Sequence, residues 1–206
     1  MKISTVFLFS LLLSFGTNSF GQTHDLTTYK KYFDNNLKEW TKSFKNFQLS
    51  NLKFTDTIHF ENLPFRDTNS LTEFYELYKP ALSFSNDKTK FIDIYSYWLN
   101  LEKRGGKVIA NTEVDQLVSL CDLKDNNWTR IFFCGLSTRI DEVVWVTNAK
   151  FIIAGTLLDE NNIFHPKVLI GDTIKQTLLV YVDIKSVATK AGYTSTKLKK
   201  LNIQDE

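Results

Sequence analysis

Apolar residues in the first part of the chain recur with the period of an α-helix. Between residues 26 and 47 they stand three or four positions apart, which places them on one stripe of a helix. The stripe consists of Leu26, Tyr29, Phe33, Leu37, Trp40, Phe44 and Phe47. Much of the remaining surface carries lysines, namely Lys30, Lys31, Lys38, Lys42 and Lys45. The pattern predicts one N-terminal amphipathic helix whose aromatic stripe packs on the body of the protein.

A second, shorter helix is predicted to begin at residue 70. Ser70 and Glu73 have the spacing of a capping box, in which each side chain bonds to the other residue's backbone N–H. Pro80 would end this helix, because proline cannot continue the backbone hydrogen bonding. Residues 52–60, between the two helices, have the composition of a strand.

From Phe91 onward the chain alternates short apolar segments with polar turns. Strands are predicted near residues 91–99, 107–110, 116–123, 128–134, 140–147, 150–158, 164–170 and 177–184. The short connections imply antiparallel neighbours. Residues 143–146 and 151–154 are apolar on both strand faces, so both sides of their sheet must be covered. The predicted fold is α+β, a curled antiparallel sheet or a two-layer sandwich with both helices packed on it.

The N-terminus has the three-part pattern of a cleavable secretory signal peptide. Lys2 supplies the positive charge, and residues 6–15 form an apolar run that is too short to span a bilayer. Ser19 and Gly21 are the small residues that a signal peptidase accommodates, so residues 1–21 should be removed and the mature chain should start at Gln22. We therefore expect an exported protein that is periplasmic or secreted.

Length and charge set the broad class of the mature chain. Residues 22–206 suit a single domain, and residues 186–206 are polar enough to form a loosely held tail. The full sequence has a formal net charge of +2, which is far from what nucleic-acid backbones attract. No later apolar stretch could cross a membrane, so we expect a soluble protein, and the Lys-, Asn- and Ile-rich composition favours a bacterial envelope or secretome.

Catalytic and metal-binding motifs are weak. The segment around Ser137 approaches the G-x-S-x-G nucleophile elbow, but Arg139 replaces the second glycine. His24, His59 and His165 have no metal-ligand spacing. We predict no metal site and no cofactor.

The two cysteines, Cys121 and Cys134, flank a predicted hairpin turn at residues 124–127. In that register Cys121 faces Arg130 and Cys134 faces Leu117. The offset of four residues corresponds to roughly 13 Å along a strand, which is beyond the reach of a disulfide. The geometry therefore argues against a Cys121–Cys134 bridge.

Charged residues within apolar strands form the candidate site. Asp93 lies on an aromatic strand face, and Arg139 and Asp141 share a face with apolar residues. Such groups need partners, which leaves a structural salt bridge or a polar ligand pocket as alternatives. The candidate ligand-binding residues are Asp93, Tyr95, Tyr97, Arg130, Arg139, Asp141 and Trp145. Glu142 is not expected to act together with Asp141, because adjacent strand residues point to opposite faces.

Three functions stay open at this point. The first is a non-enzymatic binding module of the bacterial envelope or secretome that takes a partner protein or a small ligand. The second is an exported hydrolase that uses a carboxylate from the set Asp93, Asp115 and Asp141. The third is binding to an anionic surface through the lysines of the first helix.

Overall fold

The computed structural model describes residues 25–204. The predicted signal peptide and its cleavage site lie outside these residues. The helices are α1 (Lys30–Asn35), α2 (Lys38–Lys42), α3 (Leu71–Tyr78) and α4 (Thr196–Lys199). The strands are β1 (Phe44–Lys45), β2 (Lys53–His59), β3 (Leu63–Pro64), β4 (Ser83–Phe84), β5 (Lys90–Asp93), β6 (Leu99–Arg104), β7 (Lys107–Thr112), β8 (Gln116–Asp122), β9 (Asn127–Cys134), β10 (Thr138–Trp145), β11 (Lys150–Leu158), β12 (Phe164–Asp172), β13 (Thr177–Val182) and β14 (Val187–Ala188).

Antiparallel sheets dominate the architecture. A central sheet has the order β10-β11-β12-β13-β2, and a second sheet has the order β3-β9-β8-β5-β4. The strands β6 and β7 form a separate hairpin, and β1 pairs with β14 in a two-stranded ribbon. The predicted α+β class with mainly antiparallel sheet is therefore confirmed, and the helices are fewer and shorter than the sequence predicts.

Both faces of the central sheet are covered, as the doubly apolar segments require. Phe151 and Ile153 of β11 belong to the larger core, together with side chains of the second sheet and of α3. Ile152 and Ala154 belong to a smaller core with residues of the N-terminal segment. Period-two alternation along β11 thus places consecutive residues in two different cores.

The helix α3 packs on the second sheet through Phe74, whose ring lies 4.7 Å from Trp128 and 6.2 Å from Phe91. The helix ends at Tyr78, before Pro80, as predicted. The capping-box prediction is wrong, because the Ser70 side chain accepts no hydrogen bond from a backbone N–H of this helix. Its hydroxyl donates to the carbonyl of Asp67 at 2.7 Å.

A continuous N-terminal amphipathic helix is not present among the described residues. The segment forms a 3-10 turn and the short helices α1 and α2, and then extends into β1. The apolar stripe is nevertheless largely buried, with Phe33, Trp40 and Phe44 in the smaller core. The helical run is interrupted between Asn35 and Lys38 and ends at Lys42, after which Phe44 pairs with Ala188 in the ribbon.

The polar tail packs against the sheets. The sequence predicts a loosely held segment here. Val187 and Ala188 form β14, and the backbone N–H of Thr189 donates to the carbonyl of Ser43 at 2.7 Å. Further along, Ser195 and Leu201 are buried. The tail therefore forms one wall of the structure near β10.

The β8–β9 hairpin has a different register from the predicted one. Cys121 pairs with Trp128 because the turn connects Asp122 to Asn127, and Cys134 pairs with Gln116 because a bulge between Val118 and Ser119 then shifts the register by one residue. Both thiols are free and buried, and burial raises the pKa of Cys121 to about 12 and that of Cys134 to about 11.

Within residues 25–204, none of the helices combines the length and the apolar character that crossing a membrane would take.

Candidate functional site

Asp93, the first residue of the predicted site, caps a turn at the end of β5. Its Oδ1 accepts hydrogen bonds from the backbone N–H groups of Tyr95 at 2.9 Å and Ser96 at 3.1 Å, and the Ser96 hydroxyl donates to Oδ2. Burial raises the pKa of Asp93. Because its own turn supplies these donors, this carboxylate stabilises the local backbone, and the predicted strand at 91–99 ends here.

Tyr97 and Arg130 form a separate group around Phe133. The Tyr97 ring packs edge-on at 5.9 Å from the Phe133 ring, and the Arg130 guanidinium lies 5.4 Å from it. Arg130 also pairs with Glu61. Asp115 lies half-buried in the connection between β7 and β8.

The structure brings Tyr95, Arg139 and Asp141 together at a β-bulge in β10. The register between β10 and β11 shifts between Ile140 and Glu142, which leaves Asp141 without a cross-strand partner. Tyr95 donates its hydroxyl to the Asp141 carbonyl at 3.1 Å. Three of the seven predicted site residues therefore share one location.

The Asp141 carboxylate is held by two donors. Arg139 Nε lies 3.1 Å from Oδ1, and Trp40 Nε1 donates to Oδ2 at 3.3 Å. Asp141 is 5% exposed, and burial raises its pKa to about 6 although the positive charge of Arg139 opposes this shift. This carboxyl group therefore gains its charge at a higher pH than an ordinary aspartate does.

Gly155 allows β10 and β11 to approach each other at the bulge. A Cβ atom at this position would lie 2.0 Å from the carbonyl oxygen of Arg139. Next to Gly155, Thr156 of β11 stands directly opposite Arg139 in the register. The absence of a side chain at position 155 thus permits the strand pairing in which Arg139 and Thr156 are opposite each other.

A cavity of about 230 Å³ lies beside the bulge, between the central sheet, the β1–β14 ribbon and the tail. We call it the Thr156 cavity. Its lining includes Phe44, Arg139, Asp141, Thr156, Phe164 and Tyr193. Thr156 is 8% exposed, and its Oγ1 atom is closed off from solvent and has no hydrogen-bond partner among the described residues.

Glu142 faces a second crevice, of about 430 Å³, that Trp145 also lines. Tyr193 and Ser195 donate their hydroxyls to its Oε1 at 2.8 and 2.5 Å, and Lys197 Nζ lies 3.6 Å from Oε2. Lys197 also donates to the carbonyl of Val143 at 2.8 Å. These bonds fasten the tail to β10, so we assign Glu142 a structural role.

Thr156 and the tail residues are absent from the sequence-predicted site. One indication of the site was available, because an isolated glycine inside a strand pattern marks a bulge or a close backbone approach, and Gly155 is such a residue. The contribution of Tyr193 depends on the path of the tail, for which the sequence contains no comparable pattern.

No group of three or more histidine, cysteine, aspartate or glutamate side chains within residues 25–204 could hold a metal ion. His165 bonds through its two ring nitrogens to the Ser186 carbonyl and to Asp159, at 2.8 and 3.2 Å. No protein-family model, curated protein or solved structure matches this chain.

Proposed function

We propose that this protein is an exported binding module that holds a small molecule in the Thr156 cavity. The observation that carries the proposal is the cavity itself, which lies where the bulge of β10, the β1–β14 ribbon and the tail meet.

The composition of the cavity wall supports binding. Small-molecule sites combine mostly apolar walls with a few polar groups that orient the ligand. Here the rings of Phe44 and Phe164 stand near Arg139, Asp141 and Thr156. Export is supported by the signal-peptide pattern of residues 1–21.

Native mass spectrometry of the protein isolated from its own host tests the proposal. The wild type should carry the extra mass of a bound molecule, and Arg139→Gln should lose it. Arg104→Gln is the matched control, because Arg104 is an exposed arginine that pairs with Glu102 and lies outside the lining of the cavity. A bare chain in both the wild type and the control would refute the proposal.

A hydrolase is the second candidate, and one observation favours Asp141 within the aspartate set. Asp141 lines the Thr156 cavity, and burial raises its pKa to about 6, which suits a general acid or base near neutral pH. The test is an assay of the protein with chromogenic esters and glycosides. Hydrolytic activity that is lost in Asp141→Asn and retained in Asp115→Asn would favour a hydrolase over binding alone.

The structure adds little to the third function, binding of an anionic surface by lysines. Lys30 pairs with Asp34 at 2.5 Å, and Lys42 pairs with Glu39 at 2.8 Å. These acids partly neutralise the surface of α1 and α2 that the hypothesis requires to be positive.

A further inference from the structure

We infer that this protein docks on the surface of a lipid membrane through the loops at one end of its two main sheets. Docking of this kind goes beyond the proposed function, because it needs no molecule in the Thr156 cavity.

Exposed apolar side chains are concentrated at this end, where β9, β11 and β13 finish and β8, β10 and β12 begin. Of the ten large hydrophobic side chains that are exposed within residues 25–204, six lie on these loops or directly beside them. We call the surface that they form the apolar end, and its members are Tyr97, Val114, Leu136, Ile163, Phe164 and Ile184. Val114, Leu136 and Ile184 protrude furthest, with exposed fractions of 71, 74 and 76%.

The loops that carry Val114 and Leu136 lie side by side. The strand β8 begins two residues after Val114, the strand β9 ends two residues before Leu136, and these two strand ends pair with each other. Tyr97 belongs to the same surface, because its ring lies 5.9 Å from the ring of Phe133, near the end of β9.

Backbone hydrogen bonds connect the remaining loops to the loop of Leu136. The N–H of Leu158 donates to the carbonyl of Ser137 at 2.7 Å, which places the β11–β12 turn against this loop. The N–H of Asp183 donates to the carbonyl of Pro166 at 3.0 Å, which places the β13–β14 turn against the start of β12. The six apolar side chains therefore belong to one end of the molecule.

Two turns of the apolar end satisfy their own backbone N–H groups with a buried or half-buried aspartate. Asp159 Oδ1 accepts from the N–H groups of Asn161 at 2.9 Å and Ile163 at 2.8 Å. Asp183 Oδ1 accepts in the same way from two N–H groups of the β13–β14 turn, at 2.8 and 3.2 Å. A backbone group that leaves water without a partner is costly, so turns bonded in this way lose little when their tips enter a headgroup layer.

A membrane fits the distribution of these side chains better than a protein partner does. The apolar residues protrude singly from separate loops, and polar turn residues such as Asn161 and Asn162 stand between them. A stable protein interface has a contiguous apolar centre, and each partner contributes about 20–30 residues to it. A fluid lipid surface accommodates separate apolar tips, and an amphipathic ring such as that of Tyr97 suits the headgroup level.

The charges around the apolar end are complementary to lipids without net charge. Exposed Glu113 and Glu160 stand on two of the loops, exposed Lys185 stands on a third, and Lys53 begins β2 at the same end. Phosphatidylcholine and phosphatidylethanolamine headgroups likewise carry one charge of each sign. Strongly anionic lipids would be repelled by the two glutamates, which distinguishes this surface from the lysines of α1 and α2.

Flotation of the mature chain with vesicles of phosphatidylcholine and phosphatidylethanolamine tests the proposal. The wild type should float with the vesicles, and raising the salt concentration about tenfold should not release it, because the attraction is apolar. Ile184→Ser should lower the bound fraction about threefold or more, and combining it with Val114→Ser and Leu136→Ser should lower it about tenfold or more.

Ile174→Ser is the matched control, because Ile174 is 81% exposed on the β12–β13 turn, at the opposite end of the central sheet. It should float as the wild type does. All of these side chains are exposed, so the variants should keep the wild-type stability in urea denaturation.

A wild type that does not float, or equal losses in Ile184→Ser and Ile174→Ser, would overturn the proposal. Sedimentation as a dimer that the triple variant converts to a monomer, without vesicle binding, would overturn it as well and assign the apolar end to a second copy of the chain. None of these outcomes decides the function of the Thr156 cavity, which native mass spectrometry of the host-purified protein tests separately.

Discussion

Thr156 and Thr138 are two threonines on neighbouring strands that are equally buried and differently bonded. Each is 8% exposed, but only Thr138 has a partner for its hydroxyl, the ammonium group of Lys167. Replacement by valine removes an unsatisfied group at position 156 and a satisfied one at position 138. The two substitutions should therefore change stability in opposite directions.

Thr156→Val should raise the free energy of unfolding of the ligand-free protein by about 1 kcal/mol, and Thr138→Val should lower it by about 1 kcal/mol. Urea denaturation at one pH measures both values. An equal loss of stability in the two variants would mean that the Thr156 hydroxyl is satisfied in solution.

Asp141 should make stability depend on pH. Its pKa of about 6 in the folded protein exceeds the usual value of 3.8, so the folded state binds more protons between these values. The stabilisation is therefore complete below pH 4 and is lost as the pH rises through 6. From pH 5 to 7 the free energy of unfolding should fall by about 1 kcal/mol from this group.

Asp141→Asn should flatten this pH dependence in denaturation curves recorded between pH 5 and 7. Burial also raises the pKa of Asp93, which changes stability with pH in the same direction wherever that group titrates. An unchanged slope in Asp141→Asn would show that Asp141 does not titrate in this range.

At the scale of the secondary-structure elements, strands were more predictable than helices. The strands β8 to β13 were predicted to within a few residues, because period-two alternation and turn residues mark both their faces and their ends. The apolar stripe at 26–47 correctly predicted which side chains are buried, but it wrongly predicted a single long helix. Spacing of three and four residues cannot distinguish one long helix from short segments that present the same side chains to a sheet.

The close approach of β10 and β11 at the bulge requires a glycine at position 155, so a substitution of Gly155 tests this packing. Gly155→Ala should lower the free energy of unfolding by about 2 kcal/mol, because its Cβ would meet the Arg139 carbonyl at 2.0 Å. Gly135→Ala is the control, since its Cβ would have its nearest neighbour at an ordinary 3.5 Å. Chemical denaturation compares them, and equal losses would contradict the close approach.

At the scale of the whole molecule, the tail connects the N-terminal segment, the central sheet and the β6–β7 hairpin. It pairs with β1, bonds to Glu142 and, at Gln204, donates its backbone N–H to the carbonyl of Val108 at 2.9 Å. These contacts join segments that are far apart in the chain, so removal of the tail should destabilise the entire fold.

Deletion of residues 193–206 should lower the free energy of unfolding by about 3 kcal/mol or more, because Glu142 would keep its buried position and lose all three of its tail partners. Deletion of residues 203–206 alone should cost less than about 1 kcal/mol, because Glu142 keeps its donors and Leu201 stays in place. Thermal or urea unfolding measures both, and equal stability of the two truncated chains would contradict a structural role for Glu142.

The sequence by itself determined the antiparallel strands, the need to cover both faces of the central sheet and the burial of the N-terminal aromatic stripe. These properties follow from local alternation of apolar and polar residues, which the chain carries wherever its segments finally lie. Tertiary structure decided which charged residues meet. Arg139 and Thr156 are neighbours because a bulge and Gly155 set the register, and Tyr193 reaches Glu142 because the tail returns across β10. Contacts of this kind depend on register and chain path, which single-residue patterns do not encode.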